Sequence, residues 1–199
     1  YFMIGLPTET LEDVAGIARL GQQVVDEFYR NPDRPKGKGV QVSISASSFV
    51  PKPFTPFQWE PQDTMEQLEE KQKHLYASVT TKKIRISTHL TPTSFLEGVF
   101  ARGDRRLSKV LELAWKKGCK FDSWDDHAGV DPSFYANRRR DFDEILPWDH
   151  LDYGISKKFL MNENKKAHES VTTPHCRIKC AGCGANRLNG GKCDARSEA

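Results

Sequence analysis

Residues 1–48 run strand-like, helix-like, strand-like, and this order narrows the fold more than any other feature of the chain. Tyr1 to Leu6 is a short apolar run closed by Gly5-Leu6-Pro7, the pattern of a buried strand. Thr8-Glu9-Thr10 turns the chain, and Thr10 with Asp13 three residues later has the form of a capping box. Leu11, Val14, Ile17, Ala18, Val24, Val25 and Phe28 then recur at helical spacing, in a helix that should stop before Pro32. Val40 to Ser47 alternates apolar and polar residues, which predicts a second strand. Strand, long helix, strand is a βαβ unit with parallel neighbours. Two strands alone make no stable parallel sheet. Together with a start at Tyr1, inside a strand-like run, this leads us to expect further strands upstream.

The remaining chain reads as mostly helical. Phe49 to Trp59 holds Pro51, Pro53 and Pro56, which forbid helix or ladder pairing. Its four aromatics are expected to pack, with lining a pocket or plugging a barrel mouth as the alternative. Asp63 is expected to cap a helix from Thr64 to Thr80, and Lys83 to Thr88 alternates like a strand. A helix should start at Thr93-Ser94, and Asp104 should cap another over Arg105 to Lys117, closed by Gly118. The triplet Arg102-Gly103-Asp104 is read as this turn. Cys119 to Tyr153 is aromatic and irregular, and a last helix is expected over Ser156 to Ser170 with Phe159, Leu160 and Ala167 inward.

The chain has 199 residues, 29% of them charged and 37% hydrophobic, as suits a globular domain with a tail. Its net charge of +3 is too mild to argue for nucleic acid. Apolar runs are too short for a transmembrane helix, so no membrane partner is expected. Four of the five cysteines lie at or beyond Cys176, which does not suit a disulfide scaffold and favours a reducing cytoplasm.

Those cysteines are the strongest chemical signal. Cys176, Cys180 and Cys183 are spaced C-x3-C-x2-C, with Cys193 following. Three thiolates suit a [4Fe–4S] cluster, and four suit tetrahedral zinc. Gly182 and Gly184 allow tight turns around a metal, and His175 is a weaker alternative ligand. Cys119 is expected to be a buried inert thiol. Asp122, Asp125, Asp126 and His127 are read as capping and solvation, and Arg138-Arg139-Arg140 as a solvated face with phosphate grip as the alternative.

Phe2-Met3-Ile4-Gly5-Leu6-Pro7-Thr8-Glu9-Thr10 resembles a strand and turn of radical SAM enzymes. That piece recurs in their methylthiotransferase, coproporphyrinogen oxidase and cobalamin-binding branches. Ser48 to Pro56 resembles the last strand and loop of their barrel. The stretches Arg102 to Arg106, Leu146 to Asp149 and Gly154 to Leu160 resemble the C-terminal extension of one uncharacterised cobalamin-binding branch.

The resemblance implies an α/β fold: the last two βα units of a partial (β/α)6 barrel (residues 1–60), an α-rich extension (61–170) and a cysteine-rich metal-binding tail (171–199). It implies S-adenosyl-L-methionine beside Gly5, Leu6, Phe49 and Val50, with its cleaving [4Fe–4S] cluster and cobalamin in a missing N-terminal portion. The chain would then be the C-terminal fragment of an enzyme, inactive alone, with substrate unknown. Cys176, Cys180, Cys183 and Cys193 would hold an auxiliary cluster or zinc. The alternative is a non-catalytic zinc-binding module contacting RNA, through its arginines, or a protein partner.

Overall fold

The computed structural model describes residues 1–191. The chain is mainly helical with one small sheet, and it forms two compact units. The first comprises Tyr1–Val50 and Gln62–Gly98; the second comprises Pro51–Pro61 and the chain from Val99 onward.

The first unit is built on β1 (Phe2–Ile4), α1 (Leu11–Arg30), β2 (Val42–Ser48), α2 (Met65–Ala77) and β3 (Ile84–Thr88). Thr10 caps α1 as its sequence predicts: the Asp13 N–H donates to Thr10 Oγ1 at 3.2 Å and the Thr10 N–H to Asp13 Oδ2 at 2.9 Å. Val14, Ile17, Ala18 and Val25 of α1 are buried against the sheet, whereas Leu11 and Val24 are exposed. Helix α2 starts one residue later than expected. Thr64 is its N-cap, in a capping box with Gln67, and Asp63 is left to pair with Lys71 at 2.7 Å.

The strands lie in the order β1-β2-β3, all parallel, with Phe2 opposite Ala46 and Ile44 opposite Ile86. One face carries the core: Ile4, Ile44, Ala46 and Ile84 pack with α1 and with Leu75 of α2. The sheet is open, with β1 and β3 as its outer strands. The partial (β/α)6 barrel expected from the family resemblance is therefore not the architecture. Alternation at Ile84 and Ile86 marks a strand in sequence, but only long-range pairing shows that β3 extends the β1–β2 sheet.

Helix α3 spans Thr91–Ala101, and the second unit holds α4 (Ser108–Lys116), α5 (Pro132–Ala136) and α6 (Lys157–His168). The Asp104 carboxylate accepts from the Arg106 N–H at 2.9 Å and caps a 3-10 turn leading into α4. Trp59, Leu146, Trp148 and Leu160 form one core cluster, with the Phe142 ring edge-on to Trp59 at 4.9 Å. The proline-rich loop thus supplies Trp59, a fully buried tryptophan of the second unit.

The arginine run departs from its sequence reading. Arg138 is held bidentate by Glu144 at 2.7 and 2.8 Å, and Arg139 meets Glu60 at 2.5 Å. Arg140 is 3% exposed and donates to the Arg102 carbonyl at 3.1 Å. Arg102 is itself fully buried, donating to the Ala136 and Arg138 carbonyls at 2.9 and 3.1 Å. Burial, then the charges of Arg140 and Arg138, push Arg102 well below the usual guanidinium value. These arginines hold the second unit together and present no phosphate-gripping face. Cys119, expected to be buried, is exposed.

Candidate binding cleft

The second unit contains a cavity of about 470 Å³, within the range of small-ligand sites. Its walls come from three segments: the Pro51–Pro61 loop, the stretch from Asp149 to Ser156, and the first turn of α6.

The loop contributes Phe54 and Gln58. Gln58 is 2% exposed, and its Oε1 accepts from Trp148 Nε1 at 2.7 Å and from the Phe54 N–H at 3.0 Å. That one amide oxygen fixes both the loop and the Trp148 ring. The Tyr153 hydroxyl donates to the Phe54 carbonyl, and the two rings lie 4.3 Å apart. Leu151, Ile155 and Leu160 complete the apolar wall.

Charged groups at the cleft are mostly tied to each other. Asp149 accepts from Lys157 Nζ at 2.7 Å and from the Leu146 N–H at 3.0 Å. Asp152 accepts from the Gly154 N–H at 2.8 Å and has Arg187 at 3.7 Å. Gly154 is needed here. Its φ is +93°, and a Cβ on it would lie 2.6 Å from Leu188 Cγ. Ser156 caps α6 by accepting from the Phe159 N–H, and its own N–H donates to the Cys183 carbonyl at 2.8 Å. The cysteine stretch therefore meets α6 through its backbone.

The predicted metal ligands do not converge. Cys176 is exposed, Cys180 and Cys183 are half-buried, and Cys193 lies outside the described residues. Among the described residues, no group of three His, Cys, Asp or Glu side chains is placed to hold a metal ion. Close spacing along a chain does not by itself turn side chains toward one point. The auxiliary [4Fe–4S] cluster and the zinc site are corrected on this ground. S-adenosyl-L-methionine and cobalamin have no support either.

Gly5, Leu6, Phe49 and Val50 do come together, at the carboxyl ends of β1 and β2. The Phe49 N–H donates to the Ile4 carbonyl at 2.7 Å. Gly5 takes φ +86°, its N–H donates to Glu9 Oε1 at 2.8 Å, and Glu9 meets Lys71 at 3.1 Å. A Cβ on Gly5 would sit 3.1 Å from both Asp63 Oδ2 and Leu68 Cδ2, so protein atoms already crowd this corner.

Pocket lining by the proline-rich loop is the lesser of the two readings its sequence allows, and Phe54 does line the cleft, whereas the wall from Asp149 to Ser156 is not read from the sequence. The cleft's signal was faint: aromatics among prolines, then Tyr153-Gly154 before a Ser N-cap.

Comparison with known proteins adds one relative. The chain is 34% identical over 116 residues to the uncharacterized protein MJ0966 of Methanocaldococcus jannaschii. The match covers 57% of this chain and 23% of that protein, so the chain spans less than a quarter of its relative's length. No family model matches, and no solved structure matches. With no family match, an open sheet and no ligand cluster among the described residues, the radical SAM resemblance is not upheld. The radical SAM activity expected from it falls with it. None of the described helices is long and apolar enough to cross a membrane.

Proposed function

We propose that this chain is a non-catalytic binding module that docks a protein partner by taking an apolar side chain of that partner into the second unit's cleft. The observation that carries this reading is the cavity's make-up: an apolar wall of Phe54, Leu151, Tyr153, Ile155 and Leu160 beside polar groups that are mostly tied to one another or to the backbone. Its surroundings are apolar too, with Leu151 55% and Leu188 70% exposed. RNA is the weaker partner, because Arg138, Arg139 and Arg140 are consumed by Glu144, Glu60 and the Arg102 carbonyl. The cytoplasm is the proposed compartment, on the crowding of cysteines beyond Cys176.

Selection of displayed peptides on the immobilised chain tests the reading. Selected peptides should share an apolar anchor and bind the Leu151→Glu variant at least about tenfold more weakly, a loss typical of an anchor contact. Leu151 is exposed, so circular dichroism should show the variant folded. Equal binding to both proteins overturns the cleft as the docking site. Tight binding of single-stranded RNA that is lost in Arg139→Gln would favour the other partner class.

A further inference from the structure

We infer that the cleft recognises a chain terminus: an apolar C-terminal residue of the partner together with its free carboxylate. This rests on the protein-docking reading above and names the element that is docked.

Three sets of donors point to an anion beside an apolar side chain. The first is Gln58. Its Oε1 is taken by two donors, while its Nε2 has no acceptor among the described residues. Side-chain atoms sealed from solvent without a partner include Trp59 Nε1 and Arg102 Nε, but not Gln58 Nε2. The small accessible part of this 2% exposed residue therefore includes its amide nitrogen, on the cavity wall. A buried amide held rigidly with one N–H group uncommitted is a preorganised donor.

The second is the start of α6, a helix of 12 residues whose first turn lines the cavity through Ser156, Lys157 and Leu160. Ser156 Oγ satisfies the Phe159 N–H, which leaves the Lys157 and Lys158 N–H groups without an acceptor among the described residues. Those groups and the helix dipole favour a carboxylate. The third is Arg187, whose nearest carboxylate among the described residues, Asp152, is 3.7 Å away and well exposed. Asp149 and Asp152 also line the cavity, but Lys157 and Arg187 balance them, so the helix terminus and the Gln58 amide set a positive bias. Capture of a C-terminal carboxylate by backbone N–H groups next to an apolar pocket is a recurrent mode of peptide recognition.

The test compares two probes on the whole chain by ¹H–¹⁵N chemical shifts: N-acetyl-Gly-Phe with a free carboxylate, and the same dipeptide as its C-terminal amide. The acid should shift the Lys157 and Lys158 backbone and Gln58 side-chain amide signals and bind at least about tenfold more tightly than the amide, and Arg187→Gln should reduce that difference without abolishing it. Equal affinity for acid and amide, with shifts at the cleft, overturns the terminus inference and leaves apolar docking standing. No shift at the cleft from either probe overturns both.

Discussion

Glu60 and His168 lie 108 positions apart in the chain, yet Glu60 Oε1 and His168 Nε2 meet at 2.9 Å. The same oxygen accepts from Asn164 Nδ2 at 2.8 Å, while the other carboxylate oxygen holds Arg139 at 2.5 Å. A carboxylate 3% exposed thus fastens the proline-rich loop to α6 and to the arginine run. The cleft's wall depends on that loop being held.

Glu60→Gln should destabilise the second unit by about 3 kcal/mol, since it strips the charge from a buried, paired site. Burial pushes the Glu60 carboxyl up, but hydrogen bonds from Asn164 and His168 and the Arg139 charge outweigh it and hold the group below the usual carboxylate range. A depressed folded-state value contributes stability that is present above the unfolded glutamate value, about 4.3, and is lost as pH falls through the folded one. Urea denaturation of the native protein should therefore show stability falling below about pH 4.3. Glu60→Gln should flatten that part of the profile.

Arg102→Ala should cost about 3 kcal/mol or more, because it leaves the Ala136 and Arg138 carbonyls without their donors and opens a cavity. Arg102→Met should cost clearly less, as it keeps volume and removes a buried charge. A thermal denaturation series checks the order; equal losses would mean that packing around Arg102 is unimportant.

Gly154→Ala should lower stability by about 1–3 kcal/mol, since alanine is strained at φ +93° and its Cβ would collide with Leu188. The same variant should weaken peptide binding at the cleft, whereas Gly37→Ala, where a Cβ meets nothing within 4 Å, should leave binding unchanged. Isothermal titration with a selected peptide separates the two.

Cys119 is exposed and sits at φ +54°, just after Gly118. Iodoacetamide should alkylate it in the native fold, read by mass spectrometry after digestion. Cys119→Gly should stabilise the chain by up to about 1 kcal/mol, because glycine adopts that conformation without the Cβ penalty.

Thr10→Ala should cost about 1 kcal/mol in the first unit, by removing the cap on the Asp13 N–H. Hydrogen exchange at the start of α1 gives the local readout.

What the sequence by itself determined is local. The Thr10 cap, the core face of α1 at Val14, Ile17, Ala18 and Val25, a strand read over Val40 to Ser47 and found at Val42–Ser48, and the Ser156 start of α6 follow from hydrogen bonds and side-chain periods within a few residues. Tertiary structure alone decided the rest. Cysteine spacing suggested converging ligands, but side-chain direction is set by the backbone, and the described cysteines do not converge. Three consecutive arginines looked like a solvated face, yet Arg140 is drawn inward to the Arg102 carbonyl, and Arg139, though exposed, is tied to Glu60 from a distant segment. Gln58 is fixed on the cleft wall by a hydrogen bond from Trp148, 90 positions away. A burial of that kind is favourable only when both partners arrive together, and no short window of sequence contains both.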